Sequence, residues 1–277
     1  MSYKRLLSIQ DISCVGQCSL TVALPIISAC GVETSVLPSA VLSTHTGGFT
    51  NYTFRDLTDD IPKIKEHWIK ENIKFDSFYT GYLGNSKQID YVIDIFNSVG
   101  TEDCIKIVDP AMADNGVLYA GFDKKIVDAM KVLCGNADYL LPNITEAALL
   151  TDSEYKTEYD REYIDGLIEK LTFLGAENVI ITGVSYKEDK TGVVVFENGK
   201  YAYYEHEKLG KGSHGTGDVY ASAFSGLLTR GKSAFDSAKI AADFTVECIK
   251  ETLKEDNHWY GAKFETSLGK LIEMANG

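Results

Sequence analysis

The chain has 277 residues, room for one large α/β domain or two small ones. Hydrophobic residues make up 44%, enough for a full core without disulfide or metal staples. The formal net charge of −13 argues against nucleic acid or an anionic membrane as the main partner, since both are polyanions, although it still allows a locally positive pocket for one nucleotide.

Six cysteines (Cys14, Cys18, Cys30, Cys104, Cys134 and Cys248) are scattered without a Cys-x-x-Cys pair. Zinc is therefore not expected, and reduced thiols in a cytoplasmic protein are. The first apolar run is too short for a signal peptide, and no apolar stretch approaches membrane-spanning length.

Residues 5–9 read as a short buried strand that stops in a polar loop from Gln10 to Ser13. Residues 19–30 are apolar enough for a helix, and Pro25 inside it predicts a late start or a kink. Residues 36–37 predict a second strand. Residues 40–60, which include Ser43-Thr44-His45-Thr46-Gly47-Gly48-Phe49-Thr50-Asn51-Tyr52, have no period. A polar, aromatic loop of this length serves as a lid or binding loop, or else is merely solvated.

Helices are predicted over 61–72, 86–99, 123–133, 145–150 and 159–174, and strands over 75–79, 105–108, 139–141 and 179–181. Asp114-Asn115-Gly116 is a turn signal. The runs 192–196 and 201–204 flank Asn198-Gly199 and read as a hairpin. A buried helix over 219–228 and two segments, 234–253 and 264–274, complete the chain. No internal repeat or linker interrupts it, so a single domain over 1–277 is expected.

Strands alternating with helices predict a largely parallel sheet covered on both faces. Ligands in such sheets bind beyond the carboxyl ends of the strands. The residues expected at those ends are Asp11, Thr80-Gly81-Tyr82, Asp109, Asn143 with Glu146, and Thr182-Gly183. One polar residue after a strand is an ordinary turn residue; a series along the edge where a crevice is expected carries more weight.

The strongest chemical signal is Gly212-Ser213-His214-Gly215-Thr216-Gly217-Asp218, which runs straight into the apolar helix. A glycine-rich turn at a helix start presents bare amides and the positive end of the helix dipole to an anion. It is not a Walker A loop, because no Gly-Lys-Ser/Thr follows. A carboxylate in the first turn would repel a resting phosphate, but it suits a base that takes a hydroxyl proton while the amides of Gly215, Thr216 and Gly217 hold the charge on a moving phosphoryl group. Asp109 and Glu146 are hard oxygen ligands suited to Mg²⁺, directly or through water, and Asn143 and Thr182 can bond phosphate oxygens. The competing structural reading makes Asp109 a turn cap before Pro110 and Glu146 a helix cap. His214 beside Ser213 lacks nucleophile–base geometry and reads as a loop residue.

Gly215-Thr216-Gly217-Asp218 with its helix resembles the signature of the ribokinase-like superfamily, and Asn143-Ile144-Thr145-Glu146 its Asn-x-x-Glu motif. Ser8-Ile9-Gln10-Asp11, Ser43-Thr44-His45-Thr46-Gly47, Gly81-Tyr82-Leu83-Gly84 and Val108-Asp109-Pro110-Ala111-Met112 are similar to the pyridoxal kinase branch, especially its pyridoxamine kinase subgroup. The resemblance covers nearly the full chain in order. It implies a three-layer α/β/α sandwich with a central, mainly parallel sheet, and ATP-dependent phosphorylation of the 5′-hydroxymethyl group of a B6 vitamer. It implies Asp218 as base, ring contacts from Asp11, Thr46, Gly47 and Tyr82, and ATP contacts from Asp109, Glu146, Thr182 and the loop Lys211, Gly212, Ser213 and His214. It further implies Mg²⁺, a monovalent cation such as K⁺, and a homodimer.

Two departures stand out. Many pyridoxal kinases carry Ser where this chain has Asp11, a carboxylate that suits a cationic group and so a bias toward pyridoxamine. Ala113 stands where glycine is expected, so the loop around Asp114 is expected to differ in shape. The nearest competing activity is a hydroxymethylpyrimidine kinase of the same fold, and a vitamer-binding protein without chemistry is a further alternative.

Overall fold

The computed structural model describes residues 3–210 and 214–277. In chain order the elements are β1 (Arg5–Ser13), α1 (Leu20–Ala29), β2 (Glu33–Leu42), β3 (Phe54–Asp56), α2 (Ile61–Lys70), β4 (Phe75–Thr80), α3 (Ser86–Val99), β5 (Gly100–Val108), β6 (Ala113–Asp114), β7 (Val117–Leu118), α4 (Lys124–Cys134), β8 (Tyr139–Leu140) and α5 (Ile144–Leu150). There follow α6 (Arg161–Leu174), β9 (Asn178–Lys187), β10 (Lys190–Glu197), β11 (Lys200–Glu207), α7 (Thr216–Arg230), α8 (Ala234–Thr252), a 3-10 turn (Glu265–Ser267) and α9 (Leu268–Asn276).

Among the described residues one sheet has nine strands in the order β11-β10-β9-β8-β5-β4-β1-β2-β3. Its middle, from β9 to β2, is parallel, and β3, β10 and β11 join it antiparallel. This is the ribokinase-like α/β architecture. The period of two along each central strand feeds two cores. Leu7 and Ile9 of β1, Phe78 of β4, Val108 of β5 and Ile181 of β9 face the core built with α2 to α6. Their neighbours Leu6, Tyr79, Ile107 and Ile180 face the core of α1, α7, α8 and α9. Strands buried on both faces are what a covered parallel sheet requires.

Three sequence expectations are corrected. The first strand does not end at Ile9 but runs to Ser13, and its pairing with β2 shifts between Gln10 and Ile12. Gln10 and Asp11 are buried there; the Gln10 Nε2 donates to Ser8 Oγ at 2.8 Å and Asp11 accepts from Ser13 and Ser19, so these polar residues continue the strand with partners inside it. Of the late start or kink expected at Pro25, the late start does not occur, since the helix begins at Leu20. Finally, β9 passes through Thr182-Gly183 instead of ending there. Thr182 is nevertheless set beside Asn143 by a parallel bridge, with its N–H on the Pro142 carbonyl at 3.0 Å. Asp114-Asn115-Gly116 forms the tip of the two-stranded β6–β7 hairpin.

Candidate active site

Asp218 lies in the first turn of α7. Gly215, just before that helix, has φ 77°, the left-handed conformation that glycine adopts without penalty. A Cβ there would lie 2.3 Å from the Gln17 carbonyl oxygen, so the glycine loop packs directly on the segment between β1 and α1. That segment brings Cys18 and Ser19 to Asp218. Burial and the nearby Asp11 charge push the Asp218 carboxyl up to about 7, against the Ser19 main-chain N–H and the Cys18 thiol, which favour its charged form. A carboxyl with that balance is matched to proton removal near neutral pH.

Asp11 is buried at the end of β1 and accepts hydrogen bonds from Ser13 Oγ at 2.8 Å and Ser19 Oγ at 2.5 Å. Burial raises its pKa, and the two hydroxyls oppose that rise. Tyr82 stacks on Phe122 with ring centroids 5.2 Å apart and planes 11° from parallel. Its hydroxyl is pushed up to about 12 by burial, then by Asp11 and Tyr52. Tyr82 therefore shares the electrostatic neighbourhood of Asp11.

The loop with Thr46 and Gly47 closes against the start of α7. The Gly47 N–H donates to His45 Nδ1 at 3.0 Å, which makes Nδ1 the acceptor and leaves Nε2 to donate to the Tyr260 carbonyl at 2.6 Å. Burial lowers the His45 pKa and so favours this neutral tautomer. A Cβ on Gly47 would lie 2.8 Å from His214 Nδ1, so no larger residue fits without displacing His214. Phe49 packs on Trp259 with centroids 4.8 Å apart, and His258 Nε2 meets Gln17 Oε1 at 2.8 Å.

At the other end lie Asp109, Asn143, Glu146 and Thr182. Asn143 caps α5, its Oδ1 accepting the Glu146 N–H at 3.0 Å while Glu146 Oε2 accepts the Asn143 N–H at 3.0 Å. Glu146 Oε1 takes the amides of Met112 at 2.9 Å and Ala113 at 3.4 Å. Burial still pushes Glu146 up to about 7. Burial, Glu146 and Asp218 together raise Asp109 well above the carboxylate range, against the Ala111 amide on Oδ1 at 3.0 Å. Asn143 Nδ2 donates to the Ala113 carbonyl at 2.8 Å, so most of this side chain's bonding capacity goes to the scaffold.

A model of the phosphomethylpyrimidine kinase family matches residues 25–262. The chain belongs to this family. It is 35% identical to a provisionally named phosphomethylpyrimidine kinase from Bacteroides thetaiotaomicron in a crystal form with pyridoxal; the match covers 98% of this chain and 96% of that one, with a TM-score of 0.92. A pyridoxal kinase structure from Lactobacillus plantarum is 30% identical over 99% of this chain and 98% of its own, with a TM-score of 0.90. The hydroxymethylpyrimidine/phosphomethylpyrimidine kinase of Bacillus subtilis is 28% identical over 187 residues, 67% of each chain. The chain is thus a kinase of the phosphomethylpyrimidine and pyridoxal kinase group.

Within this kinase fold the expected residues fall into two groups along one edge. The Asp11 charge acts on Asp218 and on Tyr82, Gly47 lies against His214, and Thr46 is half-buried in the same loop. Asn143 and Glu146 share the α5 cap, Thr182 is bridged to Asn143, and Asp109 lies in the field of Glu146. Asp218 acts on both groups, since its charge also raises Asp109. Lys211, Gly212 and Ser213 lie outside the described residues. Among the described residues, a shallow, open groove of 570 Å³ lies beside Arg55 and Asn85, and a recess of 290 Å³ beside Tyr201 and Arg161.

Among the described residues no group of three or more His, Cys, Asp or Glu gathers to hold a metal. Glu146 raises the half-buried Asp109, a repulsion that a bound cation or a proton would relieve. Because Glu146 spends its oxygens on main-chain amides, its part would be through water. Sequence reasoning missed Cys18, Ser19 and the 258–261 segment. Nothing in their residue types marks them; they matter because the chain folds them against Asp218 and His45.

Proposed function

We propose that this kinase transfers the terminal phosphate of ATP to the 5′-hydroxymethyl group of a vitamin B6 vitamer. The observation that carries the reading is the pairing of buried Asp11, bonded to Ser19, with half-buried Asp218, and the presence of Tyr82 in the field of Asp11. A flat ring with a cationic group suits Asp11 and Tyr82, while its hydroxymethyl group meets Asp218. Asp218 accepts the hydroxyl proton as the oxygen bonds to the γ-phosphorus. The bond from that phosphorus to the bridging oxygen breaks, and ADP leaves with the electron pair. The amides of Gly215, Thr216 and Gly217 hold the moving charge, and Lys211, Gly212, Ser213 and His214 contact ATP.

Thr46 and Gly47 contact the ring, and Asp109, Asn143, Glu146 and Thr182 serve the nucleotide. Mg²⁺ held at Asp109, and through water at Glu146, would neutralise phosphate charge, with a monovalent cation such as K⁺ assisting. We place the enzyme in the cytoplasm as a homodimer acting through one domain over 1–277, without nucleic-acid or membrane partners. The pyridoxal-containing relative from Bacteroides thetaiotaomicron supports the B6 reading.

A second reading, phosphorylation of a hydroxymethylpyrimidine, is favoured by the family model and the Bacillus subtilis relative. The test follows ADP release with MgATP and each of pyridoxal, pyridoxamine, pyridoxine and hydroxymethylpyrimidine. The B6 reading expects the highest kcat/KM with a vitamer. A higher value with the pyrimidine transfers the assignment, and no turnover with any of them rejects both.

A further inference from the structure

Ser19 stands at φ 57° and ψ −133°, backbone space that a residue with a side chain enters only when its surroundings hold it there. Four contacts do so. Its carbonyl accepts the N–H groups of Val22 at 3.0 Å and Ala23 at 2.9 Å, which starts α1. It pairs antiparallel with Ile12 of β1. Its hydroxyl donates to Asp11 Oδ1 at 2.5 Å. Its main-chain N–H favours the charged form of Asp218, and the two residues before it pack on the turn that leads to Asp218, a Cβ on Gly215 lying 2.3 Å from the Gln17 carbonyl oxygen and 3.4 Å from Cys18 Sγ. Ser19 is buried, 5% exposed, so these contacts are not shared with bulk solvent.

The contrast with Ser13 is informative. Ser13 also donates to Asp11, on Oδ2 at 2.8 Å, but it sits within β1 at an ordinary strand position and does not act on Asp218. Strain is therefore carried at the one serine that reaches both carboxylates. Backbone strain of this kind collects where geometry must be held for function.

We infer that Ser19 is a positioning residue that ties the base to the ring-binding carboxylate. One strained residue, through its hydroxyl and its N–H, sets Asp11 and Asp218 relative to each other, and so sets where the ring's hydroxymethyl group meets the base. This rests on the reading of Asp218 as base and Asp11 as ring contact. A displacement of about an ångström at a reacting group costs up to about a hundredfold in rate, so the tie acts on turnover and not on binding alone.

The experiment compares steady-state kinetics of Ser19→Ala, Ser19→Gly, Ser13→Ala and Asp218→Asn with the preferred vitamer and MgATP. Ser19→Gly guards against misfolding, because glycine adopts these dihedral angles without strain while still lacking the hydroxyl. The expected result is a kcat about 10- to 100-fold lower for both Ser19 variants, whereas Ser13→Ala acts mainly through a raised KM. Wild-type kcat in Ser19→Gly, or kcat losses equal in Ser13→Ala and Ser19→Ala, overturns the inference while leaving the base in place if Asp218→Asn is inactive. Full turnover in Asp218→Asn overturns the base assignment itself and this inference with it.

Discussion

Two carboxylate pairs lie along one edge of the sheet, and they are held in opposite ways. Glu146 is fixed by main-chain amides of Asn143, Met112 and Ala113, and Asp109 by the amide of Ala111. Asp11 is held by the hydroxyls of Ser13 and Ser19, and Asp218 by one amide and the Cys18 thiol. Glu146 and Asp218 are each pushed up to about 7, by different balances. Both are raised first by burial and further by a neighbouring carboxylate, Asp114 for Glu146 and Asp11 for Asp218, but three main-chain amides oppose the rise at Glu146 and one amide with one thiol at Asp218. Amides cannot turn away, whereas hydroxyls and thiols rotate. The Glu146 end is thus built as scaffold, and the Asp218 end stays responsive to whatever binds beside Asp11.

The widest separation between the pairs is expected in turnover. Asp218→Ala should lower kcat by about 10²–10⁴-fold, the worth of a positioned general base, with nucleotide binding largely intact by calorimetry. Near wild-type turnover would erase the distinction.

The next effect lies in stability and runs the other way. Glu146→Ala strands buried amides and should cost on the order of 3 kcal/mol in urea unfolding, while Asp11→Ala, whose hydroxyl donors can re-aim, should cost about 1 kcal/mol. Equal losses would mean that fixed and rotating donors are equivalent here.

Asp11→Ser tests what the responsive end selects. Loss of the carboxylate should shift the ratio of kcat/KM for pyridoxamine over pyridoxal by about tenfold toward pyridoxal, the size of one lost charged contact. An unchanged ratio removes Asp11 from vitamer choice.

The smallest effect concerns pH. Asp218 must be charged to accept a proton, so activity should rise with pH through about 7. The charge on Asp11 contributes to that raised value, so Asp11→Asn should move the acid limb of kcat/KM to lower pH. A limb that stays in place would show that burial alone sets the Asp218 proton affinity.

Stability runs in the opposite direction. The Glu146 carboxyl is raised from an ordinary value of 4.5 to about 7, so its contribution is present below 4.5 and is lost as pH rises through about 7.

Much of the architecture was legible in the residues. Apolar runs of strand length alternating with amphipathic helices specify a covered parallel sheet, because only that arrangement buries both faces of each strand. The span of α3 was read as it stands, since its cap Asn85 and apolar period are local. The glycine turn before Asp218 also marked itself locally, by three glycines at a helix start.

The end of β1 was not legible. Gln10, Asp11 and Ser13 look like loop in sequence, and they continue a strand with buried partners for Gln10 Nε2, the Asp11 carboxylate and the Ser13 hydroxyl. For the same reason nothing in the letters of Cys18, Ser19 or Tyr260 announces a role. Local chemistry determined the layers, the glycine turn and the carboxylates available for reaction. Tertiary packing alone decided that Asp218 meets Asp11, Cys18 and Ser19, because those contacts join residues about two hundred positions apart, a separation that propensity and spacing do not encode.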